Sequence, residues 1–220
     1  MNYKFTSGKV KTKYPIIGHG NQGTVFKIDD DTVLKVYNTK GRRHDRNDDL
    51  EVAKRLERIK LSHFIAPFDI KEKNKLLISY KMKKLDIEKK DVVDLSIEDY
   101  IESMKGIRED AQKLSNVGIQ LSDLQEHNIC ISKGKIRIYD FSDYFLGEKK
   151  YIRINNDNAI NDCFGDFCLM KLSQDNPIFI YDSIYAPFLA SNKKYFEDYL
   201  NTKTEDKKMT VREYVLSLKK

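Results

Sequence analysis

The chain has 220 residues, 40% of them hydrophobic, enough for one domain or two small lobes that share an interface. Its 40 basic and 34 acidic side chains leave a net charge of +6, but the signs are interleaved, and the densest basic run, Lys40-Gly41-Arg42-Arg43-His44-Asp45-Arg46, has no aromatic residue beside it; it reads as a solvated loop, and no nucleic-acid partner is expected. No apolar run reaches membrane-spanning length, the N-terminus lacks a secretory apolar core, and Cys130, Cys163 and Cys168 lack metal-ligand spacing, so the expectation is a cytoplasmic protein with buried thiols and no membrane span. Delivery to a host cytosol by a specialised secretion route would leave no such mark.

Thr12 to Gly18 reads as a strand that runs into Gly18-His19-Gly20-Asn21-Gln22-Gly23, a turn where the backbone must come close to something. Thr24 to Ile28 and Thr32 to Tyr37 are strands joined by the tight turn Asp29-Asp30-Asp31, and consecutive hairpins imply an antiparallel sheet. Asn47 caps a helix to about Lys60, with Leu50, Ala53, Leu56 and Ile59 at helical spacing. Phe64 to Lys71 and Lys75 to Tyr80 complete five strands. After a polar linker, the capping box Ser96-Ile97-Glu98-Asp99 opens a second helix whose buried stripe is Ile97, Ile101, Met104, Ile107, Ala111 and Leu114, with Gly118 as its stop.

Leu121-Ser122-Asp123-Leu124-Gln125-Glu126-His127-Asn128 follows, then a hairpin across Ser132-Lys133-Gly134, then Asp140-Phe141-Ser142. A carboxylate and an amide oxygen from facing loops suit magnesium, a hard cation that keeps part of its water; Asp140 and Asn128 supply them. Asp123, on the same loop as Asn128, would orient an incoming hydroxyl.

A G-x-G-x-x-G between two strands is neither the dinucleotide fingerprint, which opens a helix, nor a P-loop. Followed by a strand bearing Lys35, and later by D-L-x-x-x-N and D-F, it resembles the protein kinase superfamily over residues 12–172. The resemblance implies an α+β, bilobal fold. Its N-lobe, about residues 1–80, would hold a five-stranded antiparallel sheet with one helix; a hinge would span 80–84, and a mainly helical, abridged C-lobe about 85–220. It implies that Gly18, Gly20, Gly23 and Val25 cover ATP, that Lys35 pairs with its phosphates, and that Tyr80 and Met82 meet the adenine. Asp123 would be the catalytic aspartate, and Asn128 and Asp140 would hold Mg2+. Glu51 is the expected partner of Lys35, with Glu57 as the alternative.

Several positions depart from the family. Leu121-Ser122 stands where it has His-Arg, so control through a phosphorylated activation loop is not expected; Gln125-Glu126 replaces Lys-Pro, and Ser142 replaces a glycine. No Ala-Pro-Glu follows, since Ala186-Pro187-Phe188 lacks the glutamate. Asp162, opening a helical segment through Leu172, is either the aspartate that braces the catalytic loop or the cap of a surface helix. Tyr144 and Tyr151 read as surface tyrosines, and the tail as short helices over Lys193 to Leu200 and Thr210 to Leu218.

The expected function is ATP- and Mg-dependent transfer to protein Ser/Thr hydroxyls by a minimal kinase, with an activating protein partner in view. The alternatives are a pseudokinase or nucleotide-binding docking module, a partner-activated effector kinase, and a small-molecule phosphotransferase. The last usually carries a histidine at the Gln125 position and a long substrate insert, both absent here.

Overall fold

The computed structural model of the chain describes residues 2–5, 8–11, 14–20, 22–37, 48–122, 124–175 and 209–217, with the side chains of 2–11, 126 and 166–175 left out of that description. The basic run 40–46, Asp123, Ala186-Pro187-Phe188 and the expected helix at Lys193 to Leu200 lie outside the described residues.

A hairpin that the sequence reading did not anticipate, β1 (Asn2–Phe5) with β2 (Gly8–Lys11), precedes the sheet. The sheet is built from β3 (Ile16–His19), β4 (Gly23–Lys27), β5 (Thr32–Tyr37), β6 (Pro67–Lys73) and β7 (Leu76–Lys83). Its order is β3-β4-β5-β7-β6 and every neighbouring pair is antiparallel, as the run of hairpins predicts. Alternation along β5 sends Val33, Lys35 and Tyr37 to one face and Leu34 and Val36 to the other, where Val36 packs with Phe26 and Tyr14 in a small separate cluster. Lys35 therefore sits on the face that carries the main core, opposite Val25 on one side and Tyr80 on the other.

Helix α1 (Asp48–Glu57) crosses that face and buries Val52, Ala53 and Leu56. The chain then turns at 61–66, and this turn ties the sheet to the helical half. Asp110, fully buried on α2 (Ile97–Asn116), accepts backbone N–H bonds from Ser62 and His63 at 2.7 Å each, and from Phe64 at 3.4 Å. Three donors on one carboxylate satisfy a charge that burial alone would strongly disfavour. His63 packs its ring against Gly106 of α2, where an added Cβ would fall 2.3 Å from Nε2; this close approach explains a glycine in mid-helix. The N-cap of α2 is Ser96, whose Oγ accepts from the Asp99 N–H at 3.1 Å.

After α2 the strand β8 (Ile119–Gln120) pairs with β11 (Phe145–Leu146), and between them β9 (Ile129–Ser132) and β10 (Lys135–Ile138) form the expected hairpin. Its turn residues Lys133 and Gly134 both have positive φ (54° and 69°), as a two-residue hairpin turn with the sheet's twist requires. Phe64 bridges to Ile138 in parallel, so the 61–66 turn extends this small sheet and places the residues after Ile138 between the two halves.

Helix α3 runs from Ile152 to Asp175, starting about a third of its length before Asn161 and absorbing what read as loop. Among its described side chains, Ile152, Asn156, Ile160 and Phe164 are buried and lie four apart. The asparagine in that stripe, among Arg153, Asn155 and Asp157, hides the helical pattern. Near the C-terminus, α4 (Val211–Ser217) falls within the expected Thr210 to Leu218 and buries Val211, Tyr214 and Val215. The architecture is α+β with a five-stranded antiparallel sheet.

Candidate active site

A cleft of about 600 Å³ opens between the sheet and the helical half. Gly18, Gly20, Gly23, Val25, Lys35, Met82, Asn128 and Asp140 all line it. Two of the glycines, Gly20 and Gly23, serve different ends. A Cβ on Gly23 would fall 2.6 Å from the Val36 carbonyl oxygen, so that residue lets β4 lie close on β5, whereas a Cβ on Gly20 would meet nothing within 4 Å, and the Gly20 N–H closes the turn on the Gly23 carbonyl at 2.9 Å.

The floor is polar at one end. Lys35, 5% exposed, donates from Nζ to Asp140 Oδ2 at 2.5 Å and to Ser142 Oγ at 2.9 Å. Ser142 in turn gives its hydroxyl proton to Asp140 Oδ1 and its backbone N–H to the same oxygen at 3.1 Å. Burial pushes the Asp140 carboxyl up, but the Lys35 charge and the bonds from Lys35 and Ser142 outweigh it and hold the group below its ordinary value. Asp140 has φ 69°, in the left-handed region that aspartate enters at some cost, so its neighbours fix an otherwise sparsely populated backbone.

Asn128 reaches the same place by backbone pairing. It ends a 3-10 turn, Glu126–Asn128, its N–H donates to the Gln125 carbonyl at 2.9 Å, and its own carbonyl accepts from the N–H of Tyr139, the residue before Asp140, at 2.9 Å. Among the described residues no group of three or more His, Cys, Asp or Glu comes together. An amide and a carboxylate oxygen fit a hard divalent cation that completes its shell with phosphate oxygens and water. Val25, Val33, Met82, Leu85 and Ile87 add apolar side chains to the walls of the cleft.

Two expected site residues are placed elsewhere. Glu51 does not pair with Lys35: it is exposed, and its Oε1 accepts from Arg55 Nε at 2.9 Å. Arg55 spends Nη1 on the Val117 carbonyl at 2.7 Å, docking α1 on the end of α2. With Val52, Ala53 and Leu56 facing the core, the helix turns Glu51 outward, and the alternative Glu57 is exposed as well. Tyr80 does not line the cleft. It is fully buried, with the tilted ring of Phe141 at 4.8 Å between centroids and that of Tyr37 at 6.1 Å, and burial drives its hydroxyl well above the ordinary pKa. Strand β7 continues to Lys83, so Met82, Lys83 and Lys84 form the cleft edge.

The brace of the loop is Asn156, not Asp162. Asn156 is 1% exposed; its Oδ1 accepts from the Leu121 N–H at 2.7 Å, and its Nδ2 donates to Ser115 Oγ at 2.9 Å and to the Ile119 carbonyl at 3.0 Å. Asp162 is exposed. Tyr144 is buried, 3% exposed, edge-on to Phe64, while Tyr151 is 48% exposed. Cys130 is a core thiol that burial pushes up to about 11.

Sequence reading also passed over Gln22 and Asp143. Both line the cleft, and Gln22 Nε2 donates to Asp143 Oδ2 at 3.2 Å, joining the glycine-rich turn to the segment after Asp140.

No family model and no curated protein matches the sequence. The fold is similar to that of the Legionella pneumophila Lpg2603 kinase bound to IP6, with a TM-score of 0.51 and 17% identity over 88% of this chain and 82% of that one. The architecture is thus kinase-like.

Proposed function

We propose that the protein is a minimal kinase that uses ATP and magnesium to phosphorylate serine or threonine hydroxyls of a protein substrate. The observation that carries this reading is the contact of Lys35 with Asp140 on the floor of a cleft roofed by the glycine-rich turn. Lys35 supplies a fixed cation for the phosphates, and the open space beside Gly20 leaves them room under the turn. A magnesium ion held by Asp140 and Asn128 would neutralise charge on the transferring group. Asp123, next to the cleft-lining Ser122, accepts the hydroxyl proton as the substrate oxygen bonds to the γ-phosphorus; the bond from that phosphorus to the bridging oxygen breaks and ADP leaves.

Between Asp140 and α3 the chain has only the stretch Phe141 to Tyr151, much of it taken up by buried Phe141, Ser142 and Tyr144 and by strand β11. With Ser122 where the family has arginine, this supports control from outside the segment. An activating protein, or a polyphosphate of the kind the Legionella kinase was bound to, would supply it. The reading suits a cytosol, the cell's own or that of a host.

A second reading, a nucleotide-binding docking module without transfer, is favoured by one observation: Glu51 faces Arg55 and leaves Lys35 to Asp140. Thermal unfolding with and without Mg-ATP, run beside a γ-labelled ATP transfer assay, separates the two. Stabilisation with transfer supports the kinase; stabilisation without transfer, in the presence of IP6 and host-cell extract, supports the docking module; neither effect sinks both.

A further inference from the structure

Lys35 lies in a nearly closed environment, 5% exposed, and neither glutamate of α1 holds it: Glu51 pairs with Arg55, and Glu57 is exposed. Beside the Asp140 carboxylate at 2.5 Å, the group that holds it is Ser142, the residue where the family has glycine. The Ser142 hydroxyl has one proton and two lone pairs. The proton goes to Asp140 Oδ1; one lone pair accepts from Lys35 Nζ at 2.9 Å, and the Tyr37 hydroxyl lies 3.4 Å away at the other. Ser142 is 7% exposed, so water does not compete for these bonds. We propose that Ser142 is the positioning residue for Lys35, doing from the segment after Asp140 what a helix glutamate would do from α1, so that the lysine's place does not depend on where α1 sits.

The geometry supports this in two further ways. Ser142 bonds Lys35 and Asp140 at once, so the lysine keeps a neutral acceptor when the carboxylate turns to a cation. Arg55, paired with Glu51 through Nε, donates from Nη1 to the Val117 carbonyl at 2.7 Å, so the outer face of α1 is fixed by contacts away from the cleft.

The inference rests on the reading of Lys35 as the phosphate ligand, and two measurements keep them apart. The first needs no nucleotide: acylation of Lys35 in the intact protein by an amine-reactive ester, followed by peptide mass spectrometry. Ser142→Ala and Ser142→Gly should each raise the Lys35 rate about fivefold or more over neighbouring exposed lysines, Ser142→Thr should restore it, and Glu51→Gln should leave it unchanged. The second is the Mg-ATP dissociation constant, expected to rise about fivefold to tenfold in Ser142→Ala and Ser142→Gly and to stay within about twofold in Glu51→Gln. Glycine discriminates most sharply, because a role confined to backbone freedom predicts that it is harmless. Wild-type labelling in Ser142→Gly, or a larger effect of Glu51→Gln on either readout, overturns the proposal. A labelling change without an affinity change upholds Ser142 as the holder of Lys35 and instead overturns the nucleotide role of the lysine.

Discussion

The backbone N–H of Leu121 donates to Oδ1 of Asn156 at 2.7 Å, tying the start of the 121–128 segment to the buried side of α3. Removing the amide in Asn156→Ala orphans this donor and the Ile119 carbonyl in a site closed to water. The expected loss is about 2–3 kcal/mol, read as a lower urea midpoint with an unchanged slope. An effect below about 0.5 kcal/mol would show that the brace is dispensable.

Asp110 joins the two halves through three backbone donors at 62–64 and an ion pair with Lys113 at 2.8 Å. Asp110→Ala should cost about 3 kcal/mol or more, since it leaves N–H groups buried and unpaired. Equilibrium unfolding measures it, and Lys113→Ala, whose amine is half-exposed, should cost under about 1 kcal/mol.

His63 gives a pH dependence whose sign is fixed. Burial lowers its pKa, and this outweighs the bond from its Nδ1 to the Ile136 carbonyl. The unfolded imidazole therefore gains its proton first as pH falls below about 6.5. Stability is full above that value and declines toward the lower folded pKa, by at most about 1.4 kcal/mol per pH unit. Urea midpoints at stepped pH should show the decline in the wild type and its loss in His63→Phe; parallel curves would refute the assignment.

The bond from Gln22 to Asp143 crosses the mouth of the cleft. Gln22→Ala should change stability by under about 0.5 kcal/mol yet speed nucleotide release about fivefold, the worth of one hydrogen bond to a carboxylate. Stopped-flow displacement of a fluorescent ATP analogue measures the rate, and an unchanged rate would show that the contact does not gate the cleft.

Where the signal was local, the sequence carried it. Alternation in Thr32 to Tyr37 and the glycines before it specify hairpins, and the short spacing from Asn128 to Asp140 across one hairpin brings both to the cleft by backbone pairing alone. Long-range choices were not legible. Whether Glu51 turns to Lys35 or to Arg55 depends on the rotation of α1, which Val52, Ala53 and Leu56 set through packing. The burial of Tyr80 depends on Phe141, distant in sequence, whose ring lies 4.8 Å from it between centroids. Asn156 sat in a stretch too polar to read as an inward face, although its spacing from Ile152 and Ile160 was the available clue.

The most direct test of the account is the rate of label transfer from γ-labelled ATP to the protein itself and to a mixed protein substrate, with magnesium present and with IP6 or host-cell extract added. The wild type should transfer label, and Asp140→Ala, Lys35→Met and Asp123→Ala should each reduce the rate at least about a hundredfold, while their unfolding midpoints show that they remain folded. Transfer that survives all three substitutions, or a wild type that never transfers under any of these conditions, would contradict it.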